Sequence, residues 1–204
     1  MGHSTGCQDV MEYLTGKGSQ TRPSIDGAII QASVSDREAL VMSVDAQKLK
    51  ESADIAAKMV EEGDGDEIVP SKYTTPLLPA PLSARRWLSL LSPNHDGDDD
   101  YFSSDLSIAQ LQKTFGSLPA GTPLCILYSG GDEYVPKEVD KERLVKKWIG
   151  IVKEGVGKVD EVHSGVVEGA THTLRTSEKK VVDGFVSRVV GFLKGVEGSI
   201  DSVL

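Results

Sequence analysis

The sequence predicts an α/β fold, a mostly parallel sheet with flanking helices and a helical insertion. Three observations carry that expectation. Short apolar stretches at residues 25–31 and beginning at Leu124 and Val162 read as buried strands, and amphipathic helical faces lie between them. Strand–helix alternation of this kind implies parallel strands joined by helices. The interval from Asp36 to Pro123 is far too long for one crossover, so it must hold an insertion.

The elements follow in order. Cys7, Val10, Met11 and Leu14 fall at i, i+3, i+4 and i+7, one face of a helix that should end near Gly16 or Gly18. Ile25, Ala28, Ile29 and Ile30 are nearly continuous after turn residues, which reads as a strand covered on both faces. Ala46, Leu49, Ala53, Ala56 and Val60 make an amphipathic helix, stopped by Gly63-Asp64-Gly65. A proline-rich stretch follows, with Pro70, Pro76, Pro79 and Pro81. Ala84, Trp87, Leu88 and Leu91 then form a short apolar face, and Ile108, Leu111 and Phe115 another. Leu144, Trp148, Ile149 and Val152 mark a helix between the second and third strands. Val182, Phe185, Val186, Val189 and Leu193 mark the closing helix.

Composition excludes several function classes. A chain of 204 residues is long enough to bury one real core. A net charge of −9 argues against nucleic acid or an anionic membrane as a partner. No apolar run is long enough for a transmembrane helix, and no basic-then-apolar leader opens the chain. Cys7 and Cys125 are far apart and in no zinc or redox spacing, so they read as small core residues of a reduced, cytoplasmic protein. Phosphate loops, dinucleotide fingerprints and zinc spacings are missing, so neither a cofactor nor a metal is expected. The run Asp96-Gly97-Asp98-Asp99-Asp100 lacks the alternating ligands and distal glutamate of a calcium loop and reads as a solvated tip.

The chemistry concentrates at three turns. Gly2-His3-Ser4-Thr5-Gly6 fits G-x-S-x-G, the sharp strand-to-helix turn that exposes a serine hydroxyl at the top of a sheet in α/β-hydrolases. The strand leading into it is expected before Met1. Ser129-Gly130-Gly131-Asp132-Glu133 places a glycine pair and then an acid after the strand at Leu124, and Gly169-Ala170-Thr171-His172 presents a histidine after the strand at Val162. The order serine, acid, histidine is that of the α/β-hydrolases. Ser4 is the nucleophile in this reading. His172 is the base, because imidazole titrates near working pH. Asp132 orients the ring, with Glu133 and Asp36 as rivals for that role. His3 is set aside as a packing residue of the turn, His163 as a structural residue inside the last strand, and His95 as part of the acidic loop. The first amide of the helix, Thr5 N–H, is the expected oxyanion donor.

These segments resemble a known family. Gly2-His3-Ser4-Thr5-Gly6-Cys7-Gln8-Asp9, Gln31 to Ala39, Tyr101-Phe102-Ser103-Ser104-Asp105-Leu106, Ser129 to Pro136 and Gly169 to Leu174 are similar to a fungal family of α/β-hydrolases, long an uncharacterised domain, that includes fusarinine C esterases. The resemblance runs from Met1 to about the last helix and implies the C-terminal part of an α/β-hydrolase fold. Residues 1–36 would be the nucleophile turn, helix and strand; 37–122 a cap- or lid-like insertion; 123–204 the C-terminal core with its acid and histidine loops. It implies a carboxylic ester hydrolase working through an acyl-enzyme on Ser4. The partner would be a small-molecule ester, a hydroxamate siderophore by analogy, whose iron arrives as part of the substrate. The chain is further expected to be an N-terminally truncated member, with Met1 an internal methionine used as a start. The strands and the second oxyanion donor that precede the turn in the family would then be missing. The alternative function is accordingly a catalytically inactive hydrolase or a non-catalytic binding remnant.

Overall fold

The computed structural model describes residues 1–43, 45–74, 80–97 and 100–201. Pro76, Pro79, Asp98 and Asp99 lie outside the described residues. In chain order the elements are β1 (Gly2–His3), α1 (Thr5–Thr15), β2 (Ala28–Gln31), α2 (Asp36–Ser43), α3 (Ala46–Glu61), α4 (Ser71–Thr74), α5 (Ala84–Leu91), α6 (Ile108–Lys113), β3 (Leu124–Ser129), α7 (Lys141–Glu154), β4 (Gly165–Val167) and α8 (Lys179–Asp201). The strands form a four-stranded sheet in the order β1-β2-β3-β4, and every pairing is parallel. Ile30 lies between Gly2 and Ile126, and Leu127 between Gln31 and Gly165. This is the predicted α/β architecture, with each turn of chemical interest at the C-terminal end of a strand. Open parallel sheets place their ligands at that end.

Every residue of β2 and β3 is buried, as a strand covered on both faces requires. Ile29, Cys125, Leu127 and Val167 form one core with Phe185 and Phe192 of α8. Elsewhere on the sheet Tyr128 meets Trp148 of α7 edge to face at 5.7 Å, and Trp148 stacks on Phe115 at 5.1 Å. Phe115, assigned by spacing to the helix at Ile108, instead sits in the 3-10 turn Phe115–Ser117 that follows α6.

Four further expectations about strands and helices are corrected. The strand leading into the serine turn, expected before Met1, is Gly2–His3 itself, paired with Ile30 and Gln31. The second strand begins at Ala28, because the chain at Ile25 is tied off by the Thr122 hydroxyl, which donates to its carbonyl at 2.8 Å. The last strand begins at Gly165 and excludes His163. Asp160 accepts the His163 backbone N–H at 2.7 Å and faces its ring at 3.0 Å, turning the chain ahead of the sheet and leaving Val162 84% exposed. On α8 the core face carries Phe185 and Phe192, with Val181, Val189 and Val196 partly covered. Val186 and Leu193, expected on that face, are 49% and 53% exposed. The valines of α8 spread wider than one packing stripe, and the large aromatic rings decide the helix phase.

Only one glycine of the serine motif is required by crowding. A Cβ on Gly2 would stand 2.1 Å from the Gly6 carbonyl oxygen and 2.8 Å from the Cys7 nitrogen, whereas at Gly6 nothing lies within 4 Å. Gly2→Ala is therefore expected to cost about 3 kcal/mol, at the upper end for overpacking. Gly6→Ala, in a helix, should be neutral to about 1 kcal/mol stabilising. Urea unfolding of the two variants side by side checks this.

Cys7 and Cys125 are both buried free thiols, and desolvation pushes each up to about 12. Cys7 also donates to the carbonyls of Gln31 at 3.1 Å and Gly2 at 3.4 Å. Both are thus protonated at neutral pH, and only the thiolate is nucleophilic. The native protein should resist alkylation at both positions and react fully once unfolded, as mass spectrometry after iodoacetamide treatment would read.

The chain divides into two compact units. One comprises Met1–Ser33, Ser104–Glu133 and Lys137–Leu204; the other comprises Val34–Ser103 and Tyr134–Pro136. The second has its own core, in which Trp87 is fully buried with Leu49, Ala56, Leu90 and Leu91. Two of its helices, α3 and α5, start on side-chain caps: Asp45 accepts from the amides of Gln47 and Lys48, and Ser83 from that of Arg86. Asp100, read from sequence as part of a solvated tip, is instead held by Arg37 at 3.2 Å with its side chain only 4% exposed, and the Ser103 hydroxyl donates to it. The charge run alone does not reveal that a distant arginine is waiting for one of its members.

Candidate active site

Ser4 occupies the junction between β1 and α1 with φ 53 and ψ −126. A residue with a Cβ pays roughly 1–3 kcal/mol to adopt such a backbone. The surrounding hydrogen bonds impose it. The Ser4 N–H donates to the Gln31 carbonyl at 3.1 Å, and the Ser4 carbonyl accepts from the Cys7 N–H at 2.8 Å. The Ser4 side chain makes no capping bond to α1. Its Oγ instead lies 2.9 Å from His172 Nε2.

His172 Nδ1 lies 2.9 Å from Asp132 Oδ2, and both side chains are buried. An ionised carboxylate only accepts hydrogen bonds, so Nδ1 carries the proton of the neutral ring. Nε2 is then left with its lone pair toward the Ser4 hydroxyl. Burial keeps water from competing for the His172–Asp132 contact. The three sequence-predicted residues, contributed by the ends of β1, β3 and β4, therefore form one hydrogen-bonded chain.

The acid and histidine loops are fastened to each other through backbone. The Gly130 N–H donates to the Val167 carbonyl at 3.0 Å and the Gly131 N–H to the Ala170 carbonyl at 2.8 Å. A Cβ on Gly130 would come within 3.0 Å of that Val167 oxygen and 3.1 Å of Glu168 Cα, so the glycine pair permits the approach. Lys141, the first residue of α7, donates to the Gly130 carbonyl at 2.7 Å. Desolvation pulls its ammonium below the usual lysine range.

The two adjacent acids divide their contacts. Asp132 meets the His172 ring, whereas Glu133 Oε2 accepts the His172 backbone N–H at 2.9 Å. That amide holds the Glu133 carboxyl below the ordinary glutamate range. A carboxylate with a depressed native value stabilises the fold above its unfolded value and loses that contribution as pH falls through the native one. The His172 amide resonance is therefore expected to titrate below the ordinary glutamate range in a pH series, and Glu133→Gln should remove that inflection. Asp36, the other rival, is the first residue of α2.

Sequence reasoning missed Gln31. It is 4% exposed at the end of β2, and its side chain reaches three partners: His3, Ser129 and the His172 carbonyl. The available signal was a polar side chain closing an otherwise apolar buried strand. His3 is exposed, with its ring centroid 5.0 Å from that of His172. Thr5 N–H, at the positive end of α1, has no acceptor among the described residues. Among the described residues no three His, Cys, Asp or Glu side chains gather as a metal site would require, and no helix is long and apolar enough to cross a membrane.

The family model described as "Protein of unknown function (DUF1749)" matches residues 1–194. The chain belongs to this family. It is 36% identical to a protein named fusarinine C esterase sidJ from Aspergillus fumigatus, over 96% of this chain and 66% of that protein. It is also 36% identical to esterase AN6793 from Emericella nidulans, over 97% of this chain and 65% of the relative. A solved structure described as siderophore hydrolase EstB from Aspergillus fumigatus superposes with a TM-score of 0.76 at 36% identity, covering 96% of this chain and 65% of that one. The fold is thus that of an α/β-hydrolase, and these three similar proteins are named as esterases or a hydrolase. The chain spans just under two thirds of the length of these relatives.

Proposed function

We propose that the chain is a serine-dependent carboxylic ester hydrolase whose substrates are esters of hydroxamate siderophores. The observation that carries the reading is the contact from Ser4 Oγ through His172 to Asp132, 2.9 Å at each step. A serine hydroxyl is a weak nucleophile until a base within hydrogen-bond reach takes its proton. In this reading Ser4 Oγ attacks the ester carbonyl while His172 Nε2 accepts its proton. The imidazolium so formed is stabilised by Asp132 and returns the proton to the departing alcohol. Water, deprotonated by the same nitrogen, then cleaves the acyl–Ser4 bond, releases the acid and restores the serine. Thr5 N–H is the oxyanion donor the reading calls for, since the carbonyl oxygen becomes negative beside the N-terminus of α1.

Siderophore esters are favoured as substrates by the names of the relatives, one a fusarinine C esterase and another a siderophore hydrolase. Iron belongs to such a substrate, and the protein needs no metal of its own. The absence of any basic surplus, at a net charge of −9, favours a small molecule over nucleic acid. Two buried reduced cysteines favour a cytoplasmic setting. The test is incubation with a fluorophosphonate probe followed by peptide mapping. One adduct, on Ser4, is expected. A chain that unfolds cooperatively yet acquires no adduct would overturn the reading in favour of a non-catalytic binding protein. A comparison of fusarinine C with simple nitrophenyl esters and amides then tests the substrate class.

A further inference from the structure

The side chain of Gln31 leaves no freedom in how its amide is oriented. One end lies 3.2 Å from the backbone carbonyl oxygen of His172, an atom that only accepts. That end must therefore be Nε2, the donor. The other hydrogen of the same nitrogen goes to Ser129 Oγ at 3.1 Å. Oε1 then faces His3 Nδ1 at 2.5 Å and must accept from it. So His3 Nδ1 carries a proton, and the neutral ring keeps the lone pair on Nε2. An unconstrained imidazole favours the opposite, Nε2–H form. The protonation of His3 is thus set by a carbonyl in the histidine loop, relayed through one amide.

The backbone of Gln31 completes the arrangement. Its carbonyl accepts the Ser4 N–H at 3.1 Å and the Cys7 thiol at 3.1 Å. One residue thereby touches the serine turn, Ser129 at the end of the acid strand and the loop that carries His172. Resting on the serine-hydrolase reading above, we propose that Gln31 is a positioning residue for the active site: its amide holds the His172 loop by the carbonyl and locks His3 as the Nδ1–H tautomer. His3 then presents Nε2 as a hydrogen-bond acceptor, with its ring centroid 5.0 Å from that of His172. His3 Nε2 has no partner among the described residues, so this acceptor is open to a donor group of the substrate.

Two variants separate the parts. Gln31→Met keeps much of the volume and removes every side-chain hydrogen bond. Gln31→Glu keeps an acceptor for His3 and loses the donor to the His172 carbonyl. Long-range 1H–15N correlations of the histidine rings, recorded where imidazole is neutral, read the tautomer without reference to activity. Nδ1–H is expected at His3 in the wild-type chain and in Q31E, with a shift toward Nε2–H in Q31M. Fluorophosphonate acylation of Ser4 reads the other half, and both variants should be about 10²-fold slower, the scale of a small misplacement of reacting groups. Nε2–H at His3 in the wild-type chain overturns the proposal whether or not Ser4 is acylated. Wild-type acylation rates in Q31E also overturn it, and Q31E decides even where Q31M fails to fold. A wild-type chain that is not acylated at all, with His3 in the Nδ1–H form, instead sinks the hydrolase reading and leaves the role of Gln31 in fixing the tautomer intact.

Discussion

Ser4→Ala is expected to abolish ester turnover, lowering kcat by about 10⁶-fold, the scale found when the nucleophile of a serine hydrolase is removed. Fluorophosphonate labelling should vanish with it. The size of the effect follows from chemistry: with the hydroxyl gone there is no acyl-enzyme, and His172 has no proton to accept. The fold should survive, because the Ser4 side chain makes no capping bond and its backbone contacts to Gln31 and Cys7 are untouched. Alanine also carries a Cβ, so it keeps the cost of φ 53. Ser4→Gly should be equally inactive yet more stable than Ser4→Ala by about 1 kcal/mol or more, because glycine adopts that backbone without a clash. Turnover assays and urea unfolding on the two variants separate catalytic loss from structural loss. Substantial turnover by Ser4→Ala would place the nucleophile elsewhere.

Asp132→Asn is expected to lower kcat by about 10⁴-fold, the loss seen when the orienting acid of a comparable triad becomes an amide. The carboxylate at 2.9 Å forces the proton onto His172 Nδ1. An asparagine can turn its NH₂ toward that nitrogen instead, which moves the ring proton to Nε2. Nε2 would then face the Ser4 hydroxyl as a donor and be unable to take its proton. The neighbouring acids provide the contrast. Glu133→Gln keeps an oxygen that accepts the His172 N–H, so its effect on kcat should stay within about 10-fold. Asp36→Asn should leave kcat unchanged. Steady-state kinetics on the three variants rank the acids, and a larger loss at Glu133 or Asp36 than at Asp132 would reverse the assignment.

Much of this arrangement was legible in the chain. Ser4, Asp132 and His172 each follow a strand pattern, and a parallel sheet delivers residues just past its strands to one edge. The glycine pair at Gly130-Gly131 was visible ahead of the acid, whereas the close backbone approach it permits, to Val167 and Ala170, was not. Other features were not legible. The choice between Asp132 and Glu133 turns on side-chain direction in one short loop, and both residues bond to His172, one at the ring and one at the backbone. The phase of α8 was misread because valine is apolar at too many positions to select a face. The start of β4 was misread because Asp160 diverts the chain before the sheet begins.

The sequence by itself determined the strand and helix alternation and the chemical identity of the residues at each strand end. Those depend on short-range periodicity and turn chemistry, which neighbouring residues settle among themselves. Tertiary structure alone decided which acid meets the histidine ring and that Gln31 ties the serine turn to the histidine loop. Each of these is a contact between segments distant in sequence. Its strength falls off within an ångström or so, and only the packed sheet brings the partners that close.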